Sequence, residues 1–165
     1  LKEIDPDGQH DIIVNLQGDE PLMPGPLIFQ VASALAGAPD ADIATACVPI
    51  DDAAEFENPN VVKVVRDQAG RALYFSRAPI PHRRDRTDGP PPAFRHLGIY
   101  AYRMGALTRF AAAPAGELER CESLEQLRAL AMGMQLLVVE AEQTPGPGVD
   151  TAEDLARVVA RLQPD

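Results

Sequence analysis

The sequence is poor in the residues that usually betray a catalytic site. It holds two cysteines and three histidines among 165 residues. Cys47 and Cys121 stand far apart and lack metal-ligand spacing, so buried free thiols in a reducing cytoplasm are the expected state. No apolar run approaches the ~20 residues a membrane-spanning helix needs. A basic stretch leading into an apolar segment and a cleavage site is also missing, so no signal peptide is expected. There is no glycine-rich P-loop, no Ser/His/Asp nucleophile set and no His/Cys zinc pattern. Internal repeats and low-complexity segments are absent too.

Positive charge is scarce. Lys and Arg number 15 against 25 Asp and Glu, a net charge of -10. Nucleic-acid phosphates would be repelled by such a chain unless it concentrated its cations on one face. Its basic cluster, His82, Arg83, Arg84 and Arg86, is short, is diluted by Asp85 and Asp88, and reads as a solvated loop. Nucleotides remain possible partners, because a metal ion can bridge carboxylates to phosphates.

What is present is ordinary globular material: 45% hydrophobic and 24% charged residues, enough for one sizeable core. Ile12 to Leu16 is a short apolar run, the mark of a strand buried on both faces, and it ends at Gln17-Gly18-Asp19-Glu20-Pro21. A helix follows over about 25–36, with Leu27, Ile28, Val31 and Leu35 on one face. Ile43 to Ile50 reads as a second buried strand, and Asp51 to Phe56 as a short helix. Val61 to Arg66 and Ala72 to Ser76 form a hairpin about Asp67-Gln68-Ala69-Gly70. After the proline-rich loop 79–92, Phe94 to Arg103 alternates as a strand. Leu118 to Met132 reads as one helix, Leu136 to Ala141 as a strand, and Thr151 to Leu162 as a closing helix with cap signals at Asp150 and Thr151. Strands alternating with helices at both ends, around a β-rich middle, indicate an α/β layer fold with a small β-rich insertion over 61–103.

Four segments carry candidate chemistry. Gly18 allows close backbone approach and Asp19 sits where a strand opens, so Asp19 suits Mg²⁺ on nucleotide phosphates; it would equally suit a turn. Asp150, after the Gly/Pro loop 144–149, is a second such carboxylate or a plain helix cap. Both follow apolar strands, and a parallel sheet would bring them to one edge as a shared metal site. In Arg95-His96-Leu97-Gly98-Ile99-Tyr100, alternation turns His96 and Tyr100 to one face and Arg95 to the other. That face would bind a polyhydroxy substrate, or be a half-buried strand with satisfied polar groups. Glu122, Glu125 and Gln126 border the Leu-rich helix, where solvated helix polarity is the alternative.

Taken in order, Asn15-Leu16-Gln17-Gly18-Asp19-Glu20-Pro21, Tyr74-Phe75-Ser76-Arg77-Ala78-Pro79-Ile80-Pro81, Arg95-His96-Leu97-Gly98-Ile99-Tyr100, Leu124-Glu125-Gln126-Leu127-Arg128 and Gly148-Val149-Asp150-Thr151 resemble the 3-deoxy-manno-octulosonate (Kdo) cytidylyltransferases, or CMP-Kdo synthetases. The resemblance spans the chain and corresponds to the carboxy-terminal two-thirds of that family. It implies a Rossmann-like nucleotidyltransferase fold of the nucleotide-diphospho-sugar transferase type, three-layered, with a β-rich insertion helping a homodimer form. It also implies cytidylyl transfer from CTP to Kdo in the cytoplasm, for lipopolysaccharide biosynthesis. By motif position, Asp19 and Asp150 would hold Mg²⁺, while Gln17, Arg77, His96, Tyr100, Glu125 and Gln126 would surround the sugar acid. Arg77 would pair with its carboxylate. The family's early Pro-Ala-Arg…Arg-Leu-Pro-Gly-Lys segment, which binds the triphosphate, has no counterpart here. On that basis these residues are expected to be a partial nucleotidyltransferase domain, its first strands missing, that does not turn over CTP alone. A modified, amino-bearing Kdo is the alternative substrate, and a non-catalytic sugar-acid-binding or dimerising fragment the alternative role.

Overall fold

The computed structural model describes residues 10–18, 20–85, 89–146, 148–149 and 152–162. Its elements run β1 (Ile12–Leu16), α1 (Gly25–Gly37), β2 (Ile43–Pro49), α2 (Ala53–Glu57), β3 (Lys63–Arg66), β4 (Ala72–Ser76), β5 (Phe94–Arg103), α3 (Met104–Ala112), α4 (Glu117–Glu122), α5 (Gln126–Ala131), β6 (Leu136–Glu140) and α6 (Ala152–Leu162). The six strands form one sheet in the order β4-β3-β5-β2-β6, with β1 also pairing to β5.

The sheet is mixed, not parallel. β2 and β6 pair in parallel, whereas β5 runs antiparallel to β1, β2 and β3. Parallel neighbours need a long crossover; β3 and β4 are instead joined by a tight turn and run antiparallel, and β5, reached through the loop after β4, lies on the other side of β3, antiparallel to it and in the same direction as β4. Because β1, β2 and β6 all oppose or match the same strands, their carboxyl ends still share one edge. The β-rich stretch 61–103 is continuous with this sheet, and β5 is its centre.

Side-chain alternation along β2 and β5 separates two cores. Ala44, Ala46, Val48, Leu97, Ile99 and Ala101 face α1, where they pack on Leu27, Val31 and Leu35. Alanines beneath the helix let it lie close to the sheet. On the opposite face Ile43, Cys47, Tyr100 and Tyr102 meet Phe75, Phe110, Leu124 and Leu127 from β4, α3 and the start of α5. Helices thus cover both faces, giving three layers.

Several details depart from the sequence reading. β1 is only half-buried and Asn15 and Leu16 are exposed, because an apolar run does not say which face will find a partner. Residues 104–112 form a helix that was not anticipated. The stretch 118–132 is two helices, broken at Ser123, whose left-handed backbone (φ 52°) ends α4. Cys121 is exposed; Cys47 is buried, and burial lifts its thiol to about 11. The cap signals at Asp150 and Thr151 lie outside the described residues.

Two long-range ties complete the frame. The last turn of α1 carries no basic residue of its own. Arg103 supplies the cation from β5, donating through Nε to Ala41 O at 2.8 Å and through Nη2 to Leu35 O and Ala38 O, both at 2.9 Å. At the far side, the β3–β4 turn folds back to β6: Val138 N donates to Gly70 O at 2.7 Å, and Arg66 Nη1 donates to Val138 O at 3.2 Å. Gly70 has φ +79°, and a Cβ there would press on Val138 O.

Replacing Arg103 with Met removes three charge-assisted bonds to carbonyls that have no other cation. Chemical denaturation is expected to show a loss of about 1–3 kcal/mol with an unchanged slope.

Candidate active site

The site originates in the way β5 is paired. One edge of β5 meets β3 at Phe94 and Arg95, then β1 from Ile99 to Arg103. Between those partners His96 N donates to Val62 O at 2.8 Å and Gln17 N to Gly98 O at 3.4 Å. On the other edge the register with β2 shifts between Thr45, opposite Tyr100, and Ala46, opposite Leu97. Gly98 and Ile99 therefore form a bulge, a device that re-aims side chains and ends regular pairing.

A cavity of about 790 Å³ opens there. Gln17, Arg77, His96, Tyr100, Glu125 and Gln126 all line it, although they come from the end of β1, the end of β4, β5 and the start of α5. The two candidate metal carboxylates, Asp19 and Asp150, lie outside the described residues. Their near neighbours in the chain, Glu20 and Gly148, line the same cavity. Among the described residues no group of three or more His, Cys, Asp or Glu is placed to hold a metal ion.

Gly98 is required by space. A Cβ at this position would collide with Oε1 of Gln17 and crowd its Cδ, so the missing side chain is what lets Gln17 lie across β5. His96 stands in a row of rings: 5.0 Å from Phe75, edge to face, and 5.3 Å from Tyr100, which continues to Tyr102 and Phe110. Its Nε2 lies 2.8 Å from the hydroxyl of Thr45. Burial presses the imidazole down to about 3, so it is neutral at physiological pH, and the same cause raises the phenol of Tyr100. Glu125 is exposed, while Gln126 is only 5% exposed; no described residue bonds the Gln126 amide.

Arg77 is more constrained than a free carboxylate clamp. It donates through Nε to Glu122 O at 2.8 Å, through Nη1 to Pro59 O at 3.1 Å and, at the long distance of 3.5 Å, through Nη2 to Ser123 O. Each Nη keeps a second hydrogen for a ligand. Glu122 does not border the cavity. Its carboxylate takes Ser76 Oγ at 2.6 Å and Arg77 N at 2.9 Å, which makes it a clip between β4 and α4. Behind this wall Lys63 is completely buried, and its ammonium donates to Asn58 O, Val61 O and Arg77 O at 2.9, 2.6 and 2.6 Å. Burial lowers its pKa. Arg95, which alternation sets opposite His96, also reaches the cavity lining and pairs with Glu55 at 3.3 Å.

Thr45 and Lys63 are not singled out by the sequence, and Arg95 is read there only as facing away from His96 and Tyr100, whereas it reaches the same cavity. Thr45 sits inside an apolar run and Lys63 looks like any strand lysine; their partners lie up to tens of residues away and have no local signature. For Arg95 the neighbouring His96 was a signal that could have been used.

A polar cavity where the strands of a three-layer α/β sheet end and diverge is where such folds bind ligands. A solved CMP:2-keto-3-deoxy-manno-octonic acid synthetase, complexed with CTP, superposes with a TM-score of 0.87 and 38% identity over 97% of this chain and 65% of its own. The family model described as Cytidylyltransferase matches residues 1–136, and the chain belongs to that family. Similar proteins include the 3-deoxy-manno-octulosonate cytidylyltransferases of Halorhodospira halophila, 54% identical over 92% of this chain and 62% of the relative, and of Cellvibrio japonicus, 54% identical over 93% and 63%. The chain thus spans about three-fifths of the length of the curated relatives it matches.

Two outcomes are expected. Lys63→Met strips a donor from three carbonyls and destabilises the protein by about 2–4 kcal/mol in denaturant titrations. For His96 the folded value of about 3 lies below the ordinary value of about 6.5. Between those values the unfolded chain binds a proton that the folded one does not, so this residue makes stability rise with pH, and the benefit is lost as pH falls. His96→Gln should flatten the slope of unfolding free energy against pH inside that window; NMR detection of an imidazole titrating near 6.5 would contradict it.

Proposed function

We propose that these residues form the sugar-acid half of a CMP-Kdo synthetase, which transfers cytidylate from CTP to Kdo. The observation that carries the reading is the convergence of Gln17, Arg77, His96, Tyr100, Glu125 and Gln126 on one cavity. A polyhydroxy acid needs both donors and acceptors for its hydroxyls and a cation for its carboxylate, and this set supplies all three. The relatives and the solved neighbour that carry this name support the choice of substrates.

In the proposed reaction the anomeric 2-hydroxyl oxygen of Kdo bonds to the α-phosphorus of CTP. The bond from that phosphorus to the bridging oxygen breaks, pyrophosphate leaves with that bonding pair, and the hydroxyl proton passes to water. Transfer of this kind depends mainly on positioning and on charge stabilisation. The protein's part is to hold the sugar acid: Arg77 offers its remaining N–H groups to the carboxylate, the amides of Gln17 and Gln126 and the phenol of Tyr100 take hydroxyls, and Glu125 accepts from them. Asp19 and Asp150 are proposed to bind Mg²⁺. As hard oxygen donors they suit that ion in kind, and when bound it would neutralise charge on the phosphates. A homodimer, a cytoplasmic location and a role in lipopolysaccharide biosynthesis belong to the same proposal.

Pyrophosphate release by the full-length protein tests it. Release is expected with CTP, Kdo and Mg²⁺ together, with kcat reduced about a hundredfold or more in Asp19→Ala. Gln126→Leu should raise the KM for Kdo about tenfold, as the loss of hydrogen bonds to a buried amide requires. Activity with an amino-bearing analogue and not with Kdo would move the assignment to the modified sugar, and no release with either would reject it.

A further inference from the structure

Thr45 is the one hydroxyl residue of β2, fully buried on the face that the strand shares with Tyr100. Its Oγ1 lies 2.7 Å from Ile99 O, 3.4 Å from Leu97 O and 2.8 Å from His96 Nε2. Carbonyl oxygens accept and never donate, so the single hydroxyl proton goes to the backbone, with Ile99 O the short partner. What remains for His96 is a lone pair on Oγ1. The short contact to Nε2 therefore requires that Nε2 carry a hydrogen and donate it. A neutral imidazole has one N–H, so Nδ1 is bare.

The bulge explains why the hydroxyl points this way. The register shift opposite Thr45 and Ala46 turns the carbonyls of Leu97 and Ile99 toward Thr45 instead of into a regular ladder with β2. The same irregularity that opens the cavity thus fixes the direction of one proton. At the other end of the ring, no described residue bonds Nδ1, while His96 lines the cavity. Burial keeps the ring neutral, so Nδ1 does not gain a proton at physiological pH.

We propose that Thr45 is a positioning residue that locks His96 in its Nε2–H tautomer, so that Nδ1 is presented to the cavity as an acceptor for a substrate hydroxyl. This rests on the reading of the cavity as a sugar-acid site. The role fits the lining: the cations Arg77 and Arg95 can only donate, and among the described lining residues the purely accepting side chains are the carboxylates Glu20 and Glu125. A polyhydroxy acid brings several hydroxyl protons that need acceptors of fixed direction.

The test uses full-length protein labelled with ¹⁵N in histidine, as wild type, Thr45→Ser and Thr45→Val, observed without ligand at neutral pH by long-range ¹H–¹⁵N correlation. Wild type and Thr45→Ser should show Nε2 protonated and Nδ1 bare, with Nδ1 moving when Kdo is added. Thr45→Val should show mixed tautomers, and its KM for Kdo should rise about tenfold while kcat changes by less than about threefold, the loss expected for one oriented hydrogen bond. Thr45→Ser should stay within about threefold of wild type in KM, which a simple packing role for the threonine methyl would not predict. An Nδ1–H tautomer or an imidazolium in the wild type would overturn the positioning role, and so would a Thr45→Val protein with unchanged tautomer and KM. An Nδ1 signal indifferent to Kdo, in protein that turns Kdo over, would overturn the acceptor role. Wild-type protein that neither binds nor turns over Kdo would instead overturn the sugar-acid reading itself, with the ligand-free spectrum still reporting on Thr45.

Discussion

A buried cation that forms no ion pair must be surrounded by dipoles or it will not stay charged. Lys63 meets that demand with three carbonyls, those of Asn58, Val61 and Arg77. The requirement is strict enough to organise its surroundings, because two of the carbonyls sit at the ends of the Asn58–Val61 turn and the third follows β4. Arg77 repeats the pattern one layer further out, bonding the carbonyls of Pro59, Glu122 and Ser123, and the Glu122 carboxylate closes the circuit on Ser76 and the Arg77 amide. One wall of the cavity is therefore a lattice of charges and backbone dipoles, with little apolar packing in it.

The opposite wall is made by irregularity in β5. Here β1 and β3 leave a gap along one edge, the bulge at Gly98 and Ile99 answers it on the other, and the absence of a side chain at Gly98 admits Gln17. The chain has three tyrosines and five phenylalanines, yet four of these stand in the single row that runs past His96. That concentration packs the half-buried ring between neighbours and fixes its plane, leaving Thr45 and the cavity to set its polarity.

Much of this was legible beforehand, for physical reasons that can be named. β2 and β5 announce themselves through an apolar run and alternation, β4 through the hairpin turn that precedes it, and alternation alone sets His96 and Tyr100 on one face. The helix over 104–112 was missed because its buried residues, Ala106 and Phe110, make a stripe too thin to register. The break at Ser123 carries neither glycine nor proline, so a left-handed residue there left no trace in the composition. Arg77 could be marked as a cation near the site, but that three carbonyls engage it depends on segments up to 46 residues away. Thr45 is the extreme case, since an isolated threonine among aliphatic residues acquires a role only when the bulge of a distant strand is built against it.

The turn of the β3–β4 hairpin, seated on β6 through Gly70 and Val138, has a bearing beyond the cavity. In the strand order β6 is terminal, and its outward N–H and C=O groups would offer a template to any extended segment of another molecule. With the amide and carbonyl of Val138 taken by Gly70 and Arg66, that margin is occupied from within the same chain. The hairpin that helps shape a binding site thereby also guards the sheet against strand-by-strand association, and damage to its glycine turn would surface first as aggregation.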